Sequence, residues 1–192
     1  MNMLTKNELR QKYRALRDSF GEEFIEKASV SACERLVKSK AFLDADTVLL
    51  YYPINKEISP LPLFNICLKM GKNVAFPVCQ TKESTLIFKN IASFDSLVPS
   101  VFGLCEPKEA CNLVNPTEKT LCVVPAISFS SDGHRLGYGK GYYDRFLKNF
   151  NGISVGFSYS ALACDSLSHE AHDIPLDMII TESEVLYIDK KN

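Results

Sequence analysis

The chain has almost no net charge: 22 lysines and arginines stand against 23 aspartates and glutamates, a formal balance of −1. That excludes a nucleic-acid role driven by bulk charge, so any basic site must be local. Long apolar runs are also missing, and none approaches the ~20 residues that a membrane span needs. The opening segment MNMLTKNELRQ turns charged at once and holds no apolar signal core. No cysteine pair is spaced CxxC, and none stands at zinc-finger spacing from a histidine. The cysteine count of 7 is odd, which argues against a disulfide scaffold. Several of them lie in apolar runs, where a free thiol packs as a small core residue. These absences point to a protein of the reducing cytosol, with neither a membrane nor a nucleic acid as partner. There is no internal repeat and no low-complexity linker. What is present, 192 residues of which 46% are hydrophobic, suffices for a buried core and fits one domain over 1–192.

The first helix is announced by Thr5-Lys6-Asn7-Glu8, a capping box, with Leu4 and Leu9 placed as a hydrophobic staple. Leu9, Tyr13, Leu16 and Phe20 recur at helical spacing and predict one buried stripe. Lys6, Arg10, Arg14 and Arg17 recur on another face. A second helix is predicted over 22–39, with Phe24, Ala28, Ala32 and Leu36 inward. The apolar run 47–52, ended by Pro53, reads as a strand covered on both faces. A helix over 60–70 closed by Gly71 follows, then strands over 73–78 and 85–91, the latter at a sheet edge. Residues 93–119 hold Pro99, Pro107 and Pro116 and read as irregular. A strand over 121–126, a helix near 141–150 and strands over 153–157, 178–181 and 184–188 complete the pattern. Strands alternating with helices predict an α/β class: one three-layer domain, a mostly parallel sheet with helices on both faces. Ligands bind outside the carboxyl ends of such strands, which places a site at the loop after 121–126.

That loop carries the densest chemistry in the chain. Gly133, Gly137, Gly139 and Gly141 fall within nine residues, and Arg135, Lys140, Tyr138, Tyr142, Tyr143 and Asp144 are interleaved with them. Glycines let backbone N–H groups approach a ligand closely, and a helix starting after them adds donors that favour phosphate. Arg can grip phosphate through two bonds, while Lys acts as a mobile point charge. It is not a P-loop, because Lys140 is followed by Gly141 rather than Ser or Thr. A glycine-rich turn with solvated charges is the alternative reading of the loop by itself.

The string RLGYGKGYYDRFL, following VVPAISFSSDGH, resembles the signature of the 5-formyltetrahydrofolate cyclo-ligase family, also called methenyltetrahydrofolate synthetases. KNELR, YYPINKEIS and HDIPLDMIITE resemble that family's other blocks in the same order, so the likeness spans nearly the whole chain. It implies a fold like that of ribose-phosphate isomerases and CoA transferases. It implies conversion of 5-formyltetrahydrofolate and ATP to 5,10-methenyltetrahydrofolate, ADP and phosphate, with Mg2+. Small molecules are then the partners, and a monomer is expected.

The resemblance also assigns roles. Lys6 and Arg10, one helical turn apart, would contact ATP phosphates. Arg135, Leu136, Gly137, Tyr138, Gly139, Lys140, Gly141, Tyr142 and Tyr143 would form the ATP loop, with Tyr138 to Tyr142 also touching the folate. Glu57 would bind the pterin, whose 2-amino and N3–H groups form a planar donor pair that suits a carboxylate. Asp144 and Asp173 would hold magnesium, a metal that prefers oxygen ligands; Asp177 competes with Asp173 for that place. Lys140, Arg135 and Lys6 would neutralise the transferring phosphoryl group as the formyl oxygen attacks it and N10 then closes the ring. Arg14 and Arg17 read as surface residues. Tyr51, Tyr52, Pro53 and Phe129 could wall a ring or belong to the core. His169 and His172 read as no metal site, since HEAH is not HExxH, and His134 stands beside the loop with no assigned role. The block Phe102 to Pro107 resembles a family block without an assigned role. A non-catalytic folate- or nucleotide-binding protein on the same scaffold and a different ATP-dependent kinase are the rival readings.

Overall fold

A computed structural model describes residues 4–189; the start of the opening segment, Met1 to Met3, lies outside the described residues, as does the side chain of Phe102. The first helix, α1 (Lys6–Asp18), begins as the capping box dictates. The Glu8 N–H donates to Thr5 Oγ1 at 3.3 Å, and the Thr5 N–H donates to the Glu8 carboxylate at 2.8 Å. Leu9 and Tyr13 are buried as the stripe predicts, but Leu4 is 48% and Leu16 39% exposed. Arg17 is buried instead, because the end of α1 is covered from its side, where Tyr138 packs, and not from the side of Leu16.

Helix α2 (Glu22–Val37) buries Ala28, Ala32 and Leu36 as predicted. Phe24 does not point inward; it lies on the surface edge, against the rings of Phe20 and Tyr159. A short helix α3 (Lys40–Asp44), capped by Ser39, follows with no counterpart in the sequence reading. Helices α4 (Pro62–Lys69) and α5 (Tyr142–Leu147) occupy the two remaining helical predictions, α5 being only six residues long.

Eight strands form the main sheet: β1 (Thr47–Leu49), β2 (Asn73–Gln80), β3 (Thr85–Asn90), β4 (Leu113–Val114), β5 (Thr120–Pro125), β6 (Ile153–Phe157), β7 (Met178–Ile180) and β8 (Val185–Tyr187). Their order is β8-β7-β6-β5-β1-β2-β3-β4. The central five, from β7 to β2, pair in parallel, and the outer strands pair antiparallel. The class is therefore α/β with a mostly parallel sheet. Strand β3 is not the edge, because β4, drawn from the stretch read as irregular, covers it. The same stretch also folds an antiparallel ribbon of Leu97–Pro99 with Cys105–Pro107.

Alternation along the strands sends successive side chains to opposite faces. Val48, Val123, Val155 and Ile180 face a core shared with α1, α2 and α4. Leu49, Cys122, Val124 and Ile179 face the other, which Leu147 and Phe146 of α5 cover. Strands buried on both faces read as continuous apolar runs, as those at 47–52 and 121–126 do. All the parallel strands end at one rim of the sheet, and the connections leaving that rim build the site.

Candidate active site

A cavity of about 860 Å³ opens beyond the carboxyl ends of β1 and β5, with Tyr51, Tyr52 and Pro125 at its base. The first wall is a turn after β1. Asn55 and Lys56 adopt left-handed backbone angles, φ 48° and 59°, which asparagine tolerates better than most residues. The Glu57 N–H closes the turn on Ile54 O at 3.0 Å, and Glu57 Oε2 in return accepts the Ile54 N–H at 2.9 Å. Lys56 donates to Asp18 O at 2.7 Å and Phe20 O at 2.8 Å, which ties the turn to the carboxyl end of α1. The sequence thus places an acidic side chain, only 6% exposed, at the rim of the sheet.

Glu57 is the end of a chain of donors. Tyr138 Oη donates to Glu57 Oε1 at 2.7 Å, and Arg17 Nη2 donates to Tyr138 Oη at 3.0 Å. The Arg14 guanidinium sits 4.8 Å from the centre of the Tyr138 ring. Burial pushes the Glu57 carboxyl up, opposed by the bonds from Ile54 and Tyr138 and by the charges of Arg17 and Arg14. Burial and the neighbouring Glu57 charge push the Tyr138 phenol up to about 12. Arg14 and Arg17, read from sequence as surface residues, are therefore parts of this wall: Arg14 lines the cavity and Arg17 is 1% exposed behind it. Four of the five cations of α1, Lys6, Arg10, Arg14 and Arg17, share one face, and the signal not used was that a ligand-facing first turn places the later turns against the same wall.

The second wall is the glycine-rich loop. It leaves β5 through an unforeseen hairpin, Ser128–Phe129 with Arg135–Leu136. Gly139 has φ +90°, and a Cβ there would come within 3.1 Å of Arg10 Cζ. That approach lets Arg10 Nε donate to Gly137 O at 2.8 Å, while its Nη1 reaches Asn7 Oδ1 at 2.6 Å. Lys140 is exposed at the cavity rim, and Tyr142 and Tyr143 line the interior. Burial raises the Tyr143 phenol well above its ordinary value, and its hydroxyl is buried without a hydrogen-bond partner among the described residues.

The carboxylates stand at the far end of the cavity. Arg135, its side chain 5% exposed, donates to Asp144 Oδ1 at 3.0 Å and to Ile174 O at 3.2 Å. The Ile174 N–H reaches the same Asp144 oxygen at 3.3 Å, which brings Asp144 beside the segment that carries Asp173. Lys6 Nζ lies 2.6 Å from Asp173 Oδ2 and 3.5 Å from Glu170 Oε1. Burial works against ionisation of Asp173, but the bonds from Lys6 and the Glu170 N–H outweigh it and hold the carboxyl below its ordinary value. Asp177 serves elsewhere: its Oδ2 accepts from the backbone N–H and the hydroxyl of Ser154, fastening the lead-in of β7 to β6.

All the residues assigned to nucleotide, folate or metal thus line one cavity: Lys6, Arg10, Glu57, Arg135 to Asp144, and Asp173. Phe129 does not; it is buried in the core beneath α5. Pro53 is also absent from the cavity wall. His169 pairs with His134 rather than with His172: the two rings stack at 3.9 Å with an 11° tilt, and Asp132 lies 3.1 Å from His134 Nδ1. Ligand atoms of Asp132, His134 and His169 come within 4.8 Å of one another, but parallel rings hold their in-plane nitrogens side by side rather than converging on one point. Glu106, unassigned from sequence, is buried in the wall, accepting from the Cys79 N–H at 2.9 Å and from Ser100 Oγ at 2.6 Å. It explains the 102–107 block: the ribbon folds over the end of β2 and carries a carboxylate into the cavity. Nothing in the local sequence distinguishes that glutamate from a surface one.

Among the described residues, no helix is long and apolar enough to cross a membrane. The profile described as the 5-formyltetrahydrofolate cyclo-ligase family matches residues 2–182. The 5-formyltetrahydrofolate cyclo-ligase of Escherichia coli K12 is 29% identical, covering 92% of this chain and 98% of its own. The solution structure of 5,10-methenyltetrahydrofolate synthetase from Aquifex aeolicus superposes with a TM-score of 0.86 at 34% identity, covering 98% of this chain and 95% of that one. The Mycoplasma pneumoniae 5,10-methenyltetrahydrofolate synthetase has the same fold, with a TM-score of 0.75 at 23% identity over 93% of this chain and 99% of that one.

Proposed function

The chain belongs to the 5-formyltetrahydrofolate cyclo-ligase family, and on that premise we propose that it closes 5-formyltetrahydrofolate to 5,10-methenyltetrahydrofolate at the expense of ATP. One observation carries the assignment to this cavity. A buried carboxylate, Glu57, and a group of cations, Lys6, Arg10 and Lys140, line the same enclosure. The carboxylate is an acceptor for the donor pair of a pterin, and the cations suit a polyphosphate.

The chemical difficulty is that an amide oxygen leaves poorly. The formyl oxygen on N5 attacks the γ-phosphorus and ADP departs. N10 then attacks the formyl carbon, the carbon–oxygen bond breaks, and phosphate leaves with the former formyl oxygen as N10 gives up its proton. Positioning and charge stabilisation do most of the work in phosphoryl transfer. Glu57 fixes the pterin, so that N5 and N10 are held toward the loop. Arg10, braced on Gly137, and Lys140 hold the phosphates; Lys6 reaches them from the Asp173 side. Arg135 has a second part beside its charge. Its side chain donates to Asp144 and to Ile174 O, so it also positions the aspartate and the loop.

Asp144 and Asp173 fit a magnesium ion. Both are carboxylates on one cavity, and the bond of the Ile174 N–H to Asp144 brings their segments together. Each spends one oxygen on its cation and keeps a second for a hard metal. A bound magnesium would supply charge neutralisation for the phosphates.

The test is to mix the protein with 5-formyltetrahydrofolate, ATP and magnesium and to follow the methenyl chromophore with ADP. The two should appear together in equal amounts, and omitting any component should stop both. ADP without chromophore would mark a different kinase. Folate binding with neither product would mark a non-catalytic binding protein. Either result overturns the proposal.

A further inference from the structure

The hydrogen bonds behind Glu57 have only one possible direction. Arginine is a donor and never an acceptor, so the bond between Arg17 and Tyr138 must run from the guanidinium to the phenol oxygen. Tyr138 has a single proton, and among the described residues the only acceptor it meets is Glu57 Oε1. Glu57 Oε2 is in turn met by a backbone N–H, which also can only donate. Both carboxylate oxygens are therefore addressed by donors, and each keeps its outer lone pairs for the cavity. A protonated Glu57 would bring a third proton to a place with no internal acceptor for it.

We infer that Arg17 is a positioning residue which, acting through Tyr138, fixes Glu57 as a pure acceptor and so makes the site select a ligand with two adjacent N–H donors. The inference rests on the reading of Glu57 as the pterin-binding carboxylate and names the residue that sets its chemistry. Arg17 is otherwise hard to explain. It is a cation 1% exposed, with Nε and Nη1 buried and unbonded, and among the described residues no carboxylate is paired with it. A buried guanidinium left so poorly satisfied is costly to the fold, and a methionine of similar length would cost less. Its one direct bond is to the phenol that ends on Glu57.

The groups facing Glu57 come from every side of the wall. Arg14 and Arg17 come from α1, Tyr51 from the end of β1, Tyr138 from the loop, Tyr143 from α5 and Tyr159 from beyond β6. The four phenols are all raised by burial and stay neutral. Glu57 is thus the acid of this set that takes up a proton as pH falls. Burial raises it, and Arg17 is among the forces that hold it down.

The experiment is equilibrium binding of 5-formyltetrahydrofolate without ATP, from about pH 5.5 to 9, for the wild type, R17M, Y138F and E57Q. Affinity in the wild type should fall on the acid side as Glu57 takes up a proton. R17M should move that fall upward by about one pH unit, a tenfold loss on the acid limb that recovers toward the alkaline end. Y138F should move it in the same direction, and E57Q should bind weakly with no such limb. A uniform loss across pH in R17M and Y138F, with E57Q weak, would reduce Arg17 to a packing role and overturn the inference alone. Unchanged folate affinity in E57Q would overturn the reading of Glu57 and the inference with it. If R17M does not fold, Y138F decides, because the ring stays and only the hydroxyl link is cut.

Discussion

Replacing Gly139 with alanine tests whether loop and helix form one phosphate grip. The perturbation has two parts. At φ +90° an L-residue pays for a left-handed backbone, about 1–2 kcal/mol. The new methyl carbon would also stand 3.1 Å from Arg10 Cζ and 3.2 and 3.3 Å from its two terminal nitrogens, so the guanidinium must give by a few tenths of an ångström. Arg10 then loses alignment with Gly137 O, a charge-assisted bond whose net worth is about 1.5–3 kcal/mol when fully lost. If the loop relaxes in the free protein, nucleotide binding must restore it and bears the backbone cost of about 1–2 kcal/mol, a factor of about 5–30. The assay is ATP affinity in G139A, in R10A and in the double variant, with folate affinity and melting temperature as controls. Folate affinity should change little. The two substitutions should be less than additive, because R10A removes the steric partner and leaves only the backbone term. Unchanged ATP affinity in G139A, or strict additivity with R10A, would refute the argument that Gly139 is glycine to make room for Arg10.

Other outcomes follow from the same geometry. K140A should lower turnover by about 10²–10³ while leaving the melting temperature unmoved, as judged by steady-state kinetics and calorimetry. R135M should do both: it strips a mostly buried Asp144 of its cation, so a loss of about 3 kcal/mol and a fall of several degrees should accompany the lost activity. Gly152→Ala should act on stability alone, since its Cβ would lie 2.1 Å from Thr120 O; denaturant unfolding should show a loss of about 1–3 kcal/mol or more, with normal KM values in the folded fraction. Asp173 has a lowered folded pKa, so its contribution is complete above the ordinary value of 3.8 and is lost as pH falls through the lowered one. The stability gap between wild type and D173N should accordingly be constant near neutrality and close in acid, as acid titration of unfolding would record.

What could be read from the chain in advance follows from how local each cause is. The capping box at Thr5 and Glu8, the apolar runs of β1 and β5 and the glycines of the loop act within a few residues, and the structure carries them where the pattern puts them. Arg17 could not be placed this way. Its burial depends on Tyr138, 121 residues away, and helical spacing alone favours Leu16 as the inward residue. Glu106 failed for the same reason, as its partners Cys79 and Ser100 meet it only once the ribbon is folded. The pairing of Lys6 with Asp173 spans 167 residues, so both could be named as site residues but not as partners of each other. Arg135 shows the remaining gap: residue type and loop position named it as a site residue, but its bonds to Asp144 and the backbone of Ile174 arise only in the fold.

The span between Lys6 and Asp173 has a consequence for biosynthesis. The proposed nucleotide grip draws one hand from α1 and the other from a segment 167 residues further along the chain. While α1 is being made with its Lys6, the counter-charges of that lysine at Asp173 and Glu170 are still unmade. The sheet grows in the meantime, and α1 can be fastened at the Asp173 end only after β6 has been synthesised. Fragments cut from either end should therefore retain much of the sheet yet be unable to handle ATP, and two complementary pieces would have to find each other before either could work.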